Sequence, residues 1–93
     1  MSKTHSVLII MPARNEAERI HLVLTDLQAR QPDAHILVID DASTDSTPAD
    51  AEAAGATVLR LPFHIGYGAA LQTGYKFAVD HEFDYVVQMD SDG

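Results

Sequence analysis

Four short, largely apolar segments alternate with stretches of helical spacing, and this alternation constrains the fold more than any other feature. The segments are 7–11, 35–39, 57–61 and 85–89. Apolar runs of this length are typical of parallel strands, and residues 20–27 between the first two have one apolar helical face. The pattern predicts an α/β fold, in which an open parallel sheet carries helices on both faces and crossovers are right-handed.

Local signals predict where the elements begin and end. Asn15 and Glu18 have the spacing of a capping box at the start of the first helix. Thr47 followed by Pro48 predicts an N-cap and a first helical position for the second helix. Pro12 is expected to end the first strand, because proline cannot donate a backbone hydrogen bond.

Composition excludes several classes of function. The chain has no Cys, which excludes disulfides and thiolate metal sites. Its longest apolar run, residues 7–11, is far shorter than the roughly 20 residues of a membrane span, and the N-terminus lacks the apolar stretch of a signal peptide. We therefore expect a cytoplasmic protein, with any membrane association coming from further C-terminal parts. A net charge of −8 with only six Lys and Arg disfavours nucleic acid as a partner.

Polar residues that could bind a ligand follow each of the four predicted strands. The segments are Pro12–Glu16, Asp40–Asp45, His64–Gly68 and Asp90–Asp92. Ligands of open parallel sheets bind outside the carboxyl ends of the strands, and these ends lie at one edge of the sheet. The sequence therefore predicts a single ligand site built from all four segments.

The turn Asp90-Ser91-Asp92-Gly93 follows the fourth predicted strand. Two carboxylates two residues apart can hold a hard cation such as Mg²⁺ or Mn²⁺, which takes oxygen ligands and can neutralise a diphosphate. The alternative interpretation is an ordinary acidic turn after a strand.

Asp40, Asp41 and Asp45 follow the second strand within six residues. Their charges would repel unless they are solvated, hydrogen-bonded or paired with a ligand. A carboxylate here could accept hydrogen bonds from a nucleobase or a ribose, and Asp40, nearest the strand, is the better candidate. In the alternative interpretation, Asp45 and Thr47 cap the second helix and one Asp ties the backbone of the turn.

Glycines mark the start of the third predicted helix. Gly66 and Gly68 would allow close approach of a phosphate or sugar, although the spacing is not that of a dinucleotide-binding G-x-G-x-x-G segment. Gly74 is expected to serve helix-to-sheet packing. Arg14 could meet an anion or simply flank a helix start, and His64 is the histidine that lies in a candidate ligand loop.

Together these motifs resemble family 2 glycosyltransferases, which have the GT-A nucleotide-sugar fold. The resemblance covers essentially the whole chain and rests on the order of P-A-R-N-E, V-I-D-D-A-S-T-D-S-T, H-I-G-Y-G-A-A-L-Q-T-G-Y and M-D-S-D-G. The third segment is most similar to the branch that contains polyprenyl-phosphate (dolichol-phosphate) mannosyl- and glucosyltransferases. The expected strand order is 3-2-1-4.

The resemblance implies a GDP- or UDP-sugar donor, an inverting transfer, and an acceptor such as a polyprenyl phosphate. The residues implied to contact the nucleotide sugar are Pro12, Ala13, Arg14, Glu16, Asp40, Asp41, Gly66, Gly68, Asp90, Ser91 and Asp92. Asp40 would read the base and Asp41 would support that loop. Asp90 and Asp92 would hold Mg²⁺ or Mn²⁺. His64 departs from the Asn that the family often has at its position.

Members of this family continue past the D-x-D segment with an acceptor-binding half that supplies the catalytic base. We therefore expect residues 1–93 to be the nucleotide-sugar-binding half of a catalytic domain, truncated after the D-x-D motif, and to be inactive alone. Two other classes remain open. One is a phosphatase of the haloacid dehalogenase type, in which an Asp of a D-x-D turn on the first strand is the nucleophile. The other is a non-catalytic binding or assembly module that self-associates through exposed sheet edges.

Overall fold

A computed structural model describes residues 6–91 and shows strands and helices in strict alternation. The elements are β1 Val7–Ala13, α1 Ile20–Arg30, β2 His35–Asp40, α2 Thr47–Ala53, β3 Thr57–Arg60, α3 Tyr67–Asp80 and β4 Tyr85–Gln88. The strands form one parallel sheet in the order β3-β2-β1-β4. The predicted fold class and strand order are confirmed.

Each face of the sheet carries its own apolar core. Successive side chains of a strand point to opposite faces, so Ile9, Met11 and Val38 pack with α1 and α2. Ile10 and Leu37 point the other way and pack with α3. Helices therefore cover both faces, which explains why β1 and β2 are continuously apolar. Within residues 6–91, no helix is both long enough and apolar enough to cross a membrane.

Gly74 lets α3 lie close to the sheet. A Cβ atom at this position would stand 2.5 Å from Cγ2 of Ile10, far inside van der Waals contact. The packing role predicted for this glycine is confirmed.

Pro12 does not end β1, which continues to Ala13. The carbonyl of Ile10 accepts a hydrogen bond from the N–H of Met89 beside β4, whereas the carbonyl of Ala13 accepts from the N–H of Asp41 beside β2. Alternate residues of a strand bond to opposite neighbours, so position 12 faces the β4 side, where β4 has already ended. The missing N–H of Pro12 therefore costs the ladder no bond, and the predicted strand end was wrong.

The predicted helix starts were also wrong. α1 begins at Ile20 after Arg19, with no side-chain cap. The Asn15 side chain is engaged elsewhere, because its Oδ1 accepts a hydrogen bond from the N–H of Thr44 at 2.8 Å. α2 begins one residue earlier than predicted, with Ser46 at the N-cap and no side-chain cap hydrogen bond.

Candidate functional site

A cavity of about 390 Å³ opens at the carboxyl ends of β1, β2 and β4. Its lining residues are Pro12, Ala13, Arg14, Glu16, Asp41, His64, Tyr67, Ala70, Asp90 and Ser91. The end of β1 and the loop after it form one wall, the start of α3 another, and the turn after β4 a third. Segments far apart in the sequence thus meet at one point, as expected for an open parallel sheet.

Most of the residues proposed from the sequence line this cavity, but three of the described ones do not: Asp40, Gly66 and Gly68. Asp92 lies outside the described residues. Tyr67 and Ala70 line the cavity although the sequence reasoning did not select them. Their i, i+3 spacing places them on one face of α3, and that spacing was the available signal.

Asp41 is buried and ties the loop before α3 to the end of β2. Its Oδ1 accepts a hydrogen bond from the N–H of Ile65 at 2.8 Å, and its Oδ2 accepts from the N–H of Gly66 at 3.0 Å. Nδ1 of His64 lies 2.7 Å from Oδ2. Burial acts to raise the pKa of Asp41, but these hydrogen bonds outweigh it and hold the pKa below its ordinary value. The cavity wall therefore carries a fixed negative charge.

Gly66 supplies the backbone geometry that this contact needs. Its φ of 93° lies in the left-handed region, which favours glycine. The turn directs the N–H of Gly66 at Asp41 and starts α3 at Tyr67. Gly66 thus shapes the site without lining it.

Asp40 is fully buried beneath the cavity loops. Its Oδ2 accepts a hydrogen bond from the N–H of Ser43 at 3.2 Å and lies 4.0 Å from Nε of Arg60. Within residues 6–91, its Oδ1 has no hydrogen-bond partner. Asp40 therefore ties the turn after β2, as predicted for one Asp of the cluster, while Asp41 is the carboxylate that faces the cavity.

Asn15 joins the loop after β1 to the loop after β2. Its N–H donates to Oγ of Ser43 at 2.9 Å, and its Oδ1 accepts from the N–H of Thr44 at 2.8 Å. The backbone φ of Asn15 is 55°, a conformation that Asn tolerates better than most residues. The strained turn is held by bonds to a loop about 28 residues later in the chain.

Thr47 and Asp45 complete this connection. Oγ1 of Thr47 accepts a hydrogen bond from the N–H of Glu16 at 2.8 Å, and Oδ2 of Asp45 accepts from the N–H of Ala17 at 3.3 Å. The Thr47 hydroxyl in turn donates to Oδ1 of Asp45. That hydrogen bond, followed by one from the N–H of Thr47, lowers the pKa of Asp45. We call Asn15, Ser43, Asp45 and Thr47 the loop latch.

The loop latch replaces the capping roles that the sequence suggested for Asp45 and Thr47. Two local bonds remain, since both the hydroxyl and the N–H of Thr47 donate to Oδ1 of Asp45, the N–H at 2.9 Å. The other bonds hold the backbone of residues 15–17 in the neighbouring loop. They fix the segment that carries Arg14 and Glu16 into the cavity wall.

The Glu16 carboxylate is only partly neutralised. Nη2 of Arg19 lies 3.1 Å from Oε2 of Glu16, close enough for an ion pair. Oε2 nevertheless has no aligned hydrogen-bond donor within the described residues. The contact is an ion pair without an aligned hydrogen bond, and the Glu16 carboxylate lines the cavity.

Asp90 is held by Tyr67 across the cavity. The Tyr67 hydroxyl donates to Oδ1 of Asp90 at 3.1 Å. Desolvation of the hydroxyl, this hydrogen bond and the charge of Asp90 raise the pKa of Tyr67 above its ordinary value. Tyr67 is therefore a neutral donor at physiological pH. Ser91 follows as a buried residue.

Carboxylates line the cavity, and they are the residue type that a hard cation takes as ligands. Residues 6–91 contain no group of three or more His, Cys, Asp or Glu side chains placed to hold a metal ion. Mg²⁺, however, usually takes only one or two protein carboxylates and leaves its other positions to water and substrate phosphate. Among the described residues, Asp90 is the carboxylate of the turn after β4 that lines the cavity and could supply such a ligand.

Comparison with known proteins identifies relatives along the whole chain. Residues 8–93 match the family described as Glycosyl transferase family 2. The chain is 38% identical over 92 residues to an undecaprenyl-phosphate mannosyltransferase of Micrococcus luteus, covering 94% of this chain and 38% of that protein. It is 32% identical over 96 residues to a polyprenol monophosphomannose synthase of Mycolicibacterium smegmatis, covering 97% and 36%. The chain thus spans little more than a third of these relatives.

Solved structures with the same architecture contain nucleotide sugars and metal ions. A mannosyltransferase of Pyrobaculum calidifontis in complex with GDP-Man and Mn²⁺ superposes with a TM-score of 0.80 at 27% identity, over 92% of this chain and 27% of that one. Glucosyl-3-phosphoglycerate synthase of Mycobacterium tuberculosis, in complex with Mn²⁺, UDP-glucose and phosphoglyceric acid, gives a TM-score of 0.74 at 29% identity, over 94% and 33%.

Proposed function

Because this chain belongs to glycosyl transferase family 2, we propose that it binds the nucleoside diphosphate sugar of a metal-dependent, inverting glycosyltransferase. One observation carries the proposal: the segments after β1, β2 and β4 and the start of α3 surround one cavity of about 390 Å³. A cavity of this size suits a small-molecule ligand. The GDP-Man and UDP-glucose in the two similar structures support this class of donor.

The charge of the cavity supports metal dependence. Glu16, Asp41 and Asp90 line it, whereas Arg14 and His64 are the basic side chains among its lining residues. A diphosphate would meet net negative charge there unless a cation lay between the two. We propose that Asp90 and Asp92 hold Mg²⁺ or Mn²⁺. When bound, such an ion acts as a Lewis acid that stabilises the charge on the departing nucleoside diphosphate.

The protein residues would bind and orient the donor. Pro12 and Ala13 form the floor at the end of β1, and the loop latch keeps Arg14 and Glu16 beside them. We propose that Asp41, rather than Asp40, meets the nucleoside, because Asp41 lines the cavity and Asp40 does not. Gly68 leaves open space at the start of α3, where a Cβ would meet no atom within 4 Å.

In the whole enzyme, an acceptor oxygen would attack the anomeric carbon of the sugar as the bond to the nucleoside diphosphate breaks. The names of the Micrococcus and Mycolicibacterium relatives favour a polyprenyl phosphate as the acceptor. We propose that residues 1–93 are the donor-binding half of the catalytic domain and bind nucleotide without transferring sugar.

Calorimetric titration of GDP and UDP, with and without Mn²⁺, tests this function. We expect one of the two nucleotides to bind with an affinity that Mn²⁺ increases, and Asp92→Ala to remove the increase. Binding that ignores both the metal and the substitution would contradict the proposal. Turnover of a nucleotide sugar by residues 1–93 alone would contradict the proposal that this part binds the donor without transferring sugar. It would not contradict donor binding itself.

No observation favours the phosphatase alternative. That class places its D-x-D turn on the first strand of the sheet, whereas Asp90 follows β4, the last strand in the described chain. Trapping a phospho-aspartate, an acyl phosphate, at Asp90 would reverse this assignment.

A further inference from the structure

Tyr67 is the cavity residue whose contact has no evident role in the fold. Its side chain is 50% exposed, and it belongs to neither apolar core. Its hydroxyl nevertheless reaches Oδ1 of Asp90 at 3.1 Å, across 23 residues of sequence. The contact thus joins α3 to the turn after β4 at the cavity itself.

The backbone behind Tyr67 is firmly anchored. The N–H groups of Ile65 and Gly66, the two residues before it, donate to the buried carboxylate of Asp41. Gly66 is also the N-cap of α3, so Tyr67 is the first residue of a helix whose start is tied to β2. The phenol therefore extends from a fixed point toward a carboxylate on the edge of the sheet.

Asp90 lacks comparable support of its own. It is exposed, it follows an edge strand, and Tyr67 is the hydrogen-bond partner of its carboxylate within residues 6–91. A neutral phenol that donates to Oδ1 fixes the carboxylate orientation and leaves Oδ2 for a ligand. Outer partners of this kind orient metal ligands and reduce the entropy lost on binding.

We propose that Tyr67 is a positioning residue that presents the Asp90 carboxylate to a divalent cation. This inference rests on the proposed function, in which Asp90 is a metal ligand. The hydroxyl carries the effect and the aromatic ring does not, which distinguishes positioning from stacking of the ring on a nucleotide.

A second tyrosine of α3 provides a matched control for Tyr67. Tyr75 lies on the same helix, is 42% exposed, and donates through its hydroxyl to Oε1 of Gln88 at 2.7 Å. It does not line the cavity. Tyr75→Phe therefore removes an equivalent hydroxyl contact between α3 and β4 without touching Asp90.

Electron paramagnetic resonance of Mn²⁺, titrated into the purified protein with saturating GDP or UDP, tests the proposal against a protein-free blank. We expect Tyr67→Phe and Tyr67→Ala each to weaken Mn²⁺ binding by roughly 10- to 100-fold, and Tyr75→Phe to leave it unchanged. Equal thermal midpoints for Tyr67→Phe and Tyr75→Phe would show that folding is not the cause.

Two results would overturn the inference while leaving the proposed function intact. In the first, Tyr67→Phe binds Mn²⁺ like the wild type while Asp90→Asn loses it. In the second, Tyr67→Ala loses affinity that Tyr67→Phe retains, which would assign the effect to the ring. If Asp90→Asn itself binds Mn²⁺ like the wild type, the proposed metal site fails and this inference fails with it.

Discussion

Two walls of the cavity are built in different ways. The β1–β2 wall, residues 12–16 and 41–47, follows two central strands and is held by the loop latch. The β4 wall, Asp90 and Ser91, follows an edge strand, and the Tyr67 hydroxyl is the side-chain partner of Asp90 within the described residues. Five of the six residues of β2 are buried, whereas none of β4 is.

The comparison indicates that the β1–β2 wall is formed before a ligand binds, whereas the β4 wall can be ordered by the ligand. Several hydrogen bonds, some exposed and some partly buried, fix the β1–β2 wall before any ligand arrives, so binding there costs little ordering entropy. Within residues 6–91 the β4 wall depends on few contacts, and sparsely held segments open at low free-energy cost. Substitutions in the β1–β2 wall should therefore change stability as well as donor binding, whereas those in the β4 wall should change ligand binding with little effect on stability.

The largest loss of stability is expected for Asp41→Ala. The substitution removes the acceptor of the Ile65 and Gly66 N–H groups and should lower the free energy of unfolding by about 3 kcal/mol. Urea denaturation followed by circular dichroism measures it. Asp80→Ala, which removes an exposed carboxylate 3.3 Å from Lys76 Nζ, is the control and should change stability by less than about 0.5 kcal/mol.

Thr47→Val should cause the second-largest loss of stability. It keeps the side-chain volume in a fully buried position but leaves the N–H of Glu16 without its acceptor, at a cost of about 2 kcal/mol. Thr25→Val removes an exposed hydroxyl that donates to the carbonyl of His21 within α1, and it should change stability by less than about 0.5 kcal/mol. Equal effects of the two substitutions would show that the loop latch does not stabilise the wall.

Low pH should reduce the stability that the β1–β2 wall gives to the fold. The pKa of Asp41 is lower in the folded chain than its ordinary value of 3.8, so its ionised form stabilises the fold above that pH. This stabilisation should be lost as the pH falls below 3.8 toward the lowered pKa of the folded state. Urea unfolding of wild type and Asp41→Asn between pH 6 and about pH 2 measures the difference. If the difference in unfolding free energy between the two proteins stays constant over this range, Asp41 is not the cause of the loss of stability in acid.

Asp90→Asn should barely change the stability of the protein. The residue is exposed, and within the described part of the chain its carboxylate accepts one hydrogen bond, so the free energy of unfolding should shift by less than about 0.5 kcal/mol. The same substitution should abolish the Mn²⁺-dependent part of nucleotide binding. A large loss of stability would show that the β4 wall is part of the core and would remove the contrast between the walls.

The smallest expected effect concerns the sheet edges. Within residues 6–91, β4 pairs with β1 alone, and Val87 on it is 46% exposed. Open edges of this kind can pair with a second chain, as the sequence suggested. If self-association occurs, Val87→Lys should lower the dimer fraction in sedimentation experiments without changing nucleotide affinity. A dimer that persists unchanged would place the contact elsewhere.

Apolar periodicity was enough to predict the fold class. The four strands, their parallel direction and the covering of both faces follow from burial, which is a property of each segment and its neighbours in sequence. The strand order, by contrast, was expected from the resemblance to family 2 glycosyltransferases. Local capping rules failed for Asn15 and Thr47, because their side chains bond to a loop distant in sequence rather than to the nearest helix. Propensity rules treat polar side chains as local, and tertiary contacts override them.

The sequence by itself determined that carboxylates would gather at one edge of a parallel sheet, since every polar segment followed a strand. Only the tertiary structure decided which of them face the cavity. Asp40 and Asp41 are adjacent in the chain, yet one is buried beneath the loops and the other lines the site. Tyr67 became part of the site because α3 crosses back over the sheet and brings its first turn to the end of β4. Side-chain direction and long-range contact depend on how elements pack, and no local pattern of residues encodes that geometry.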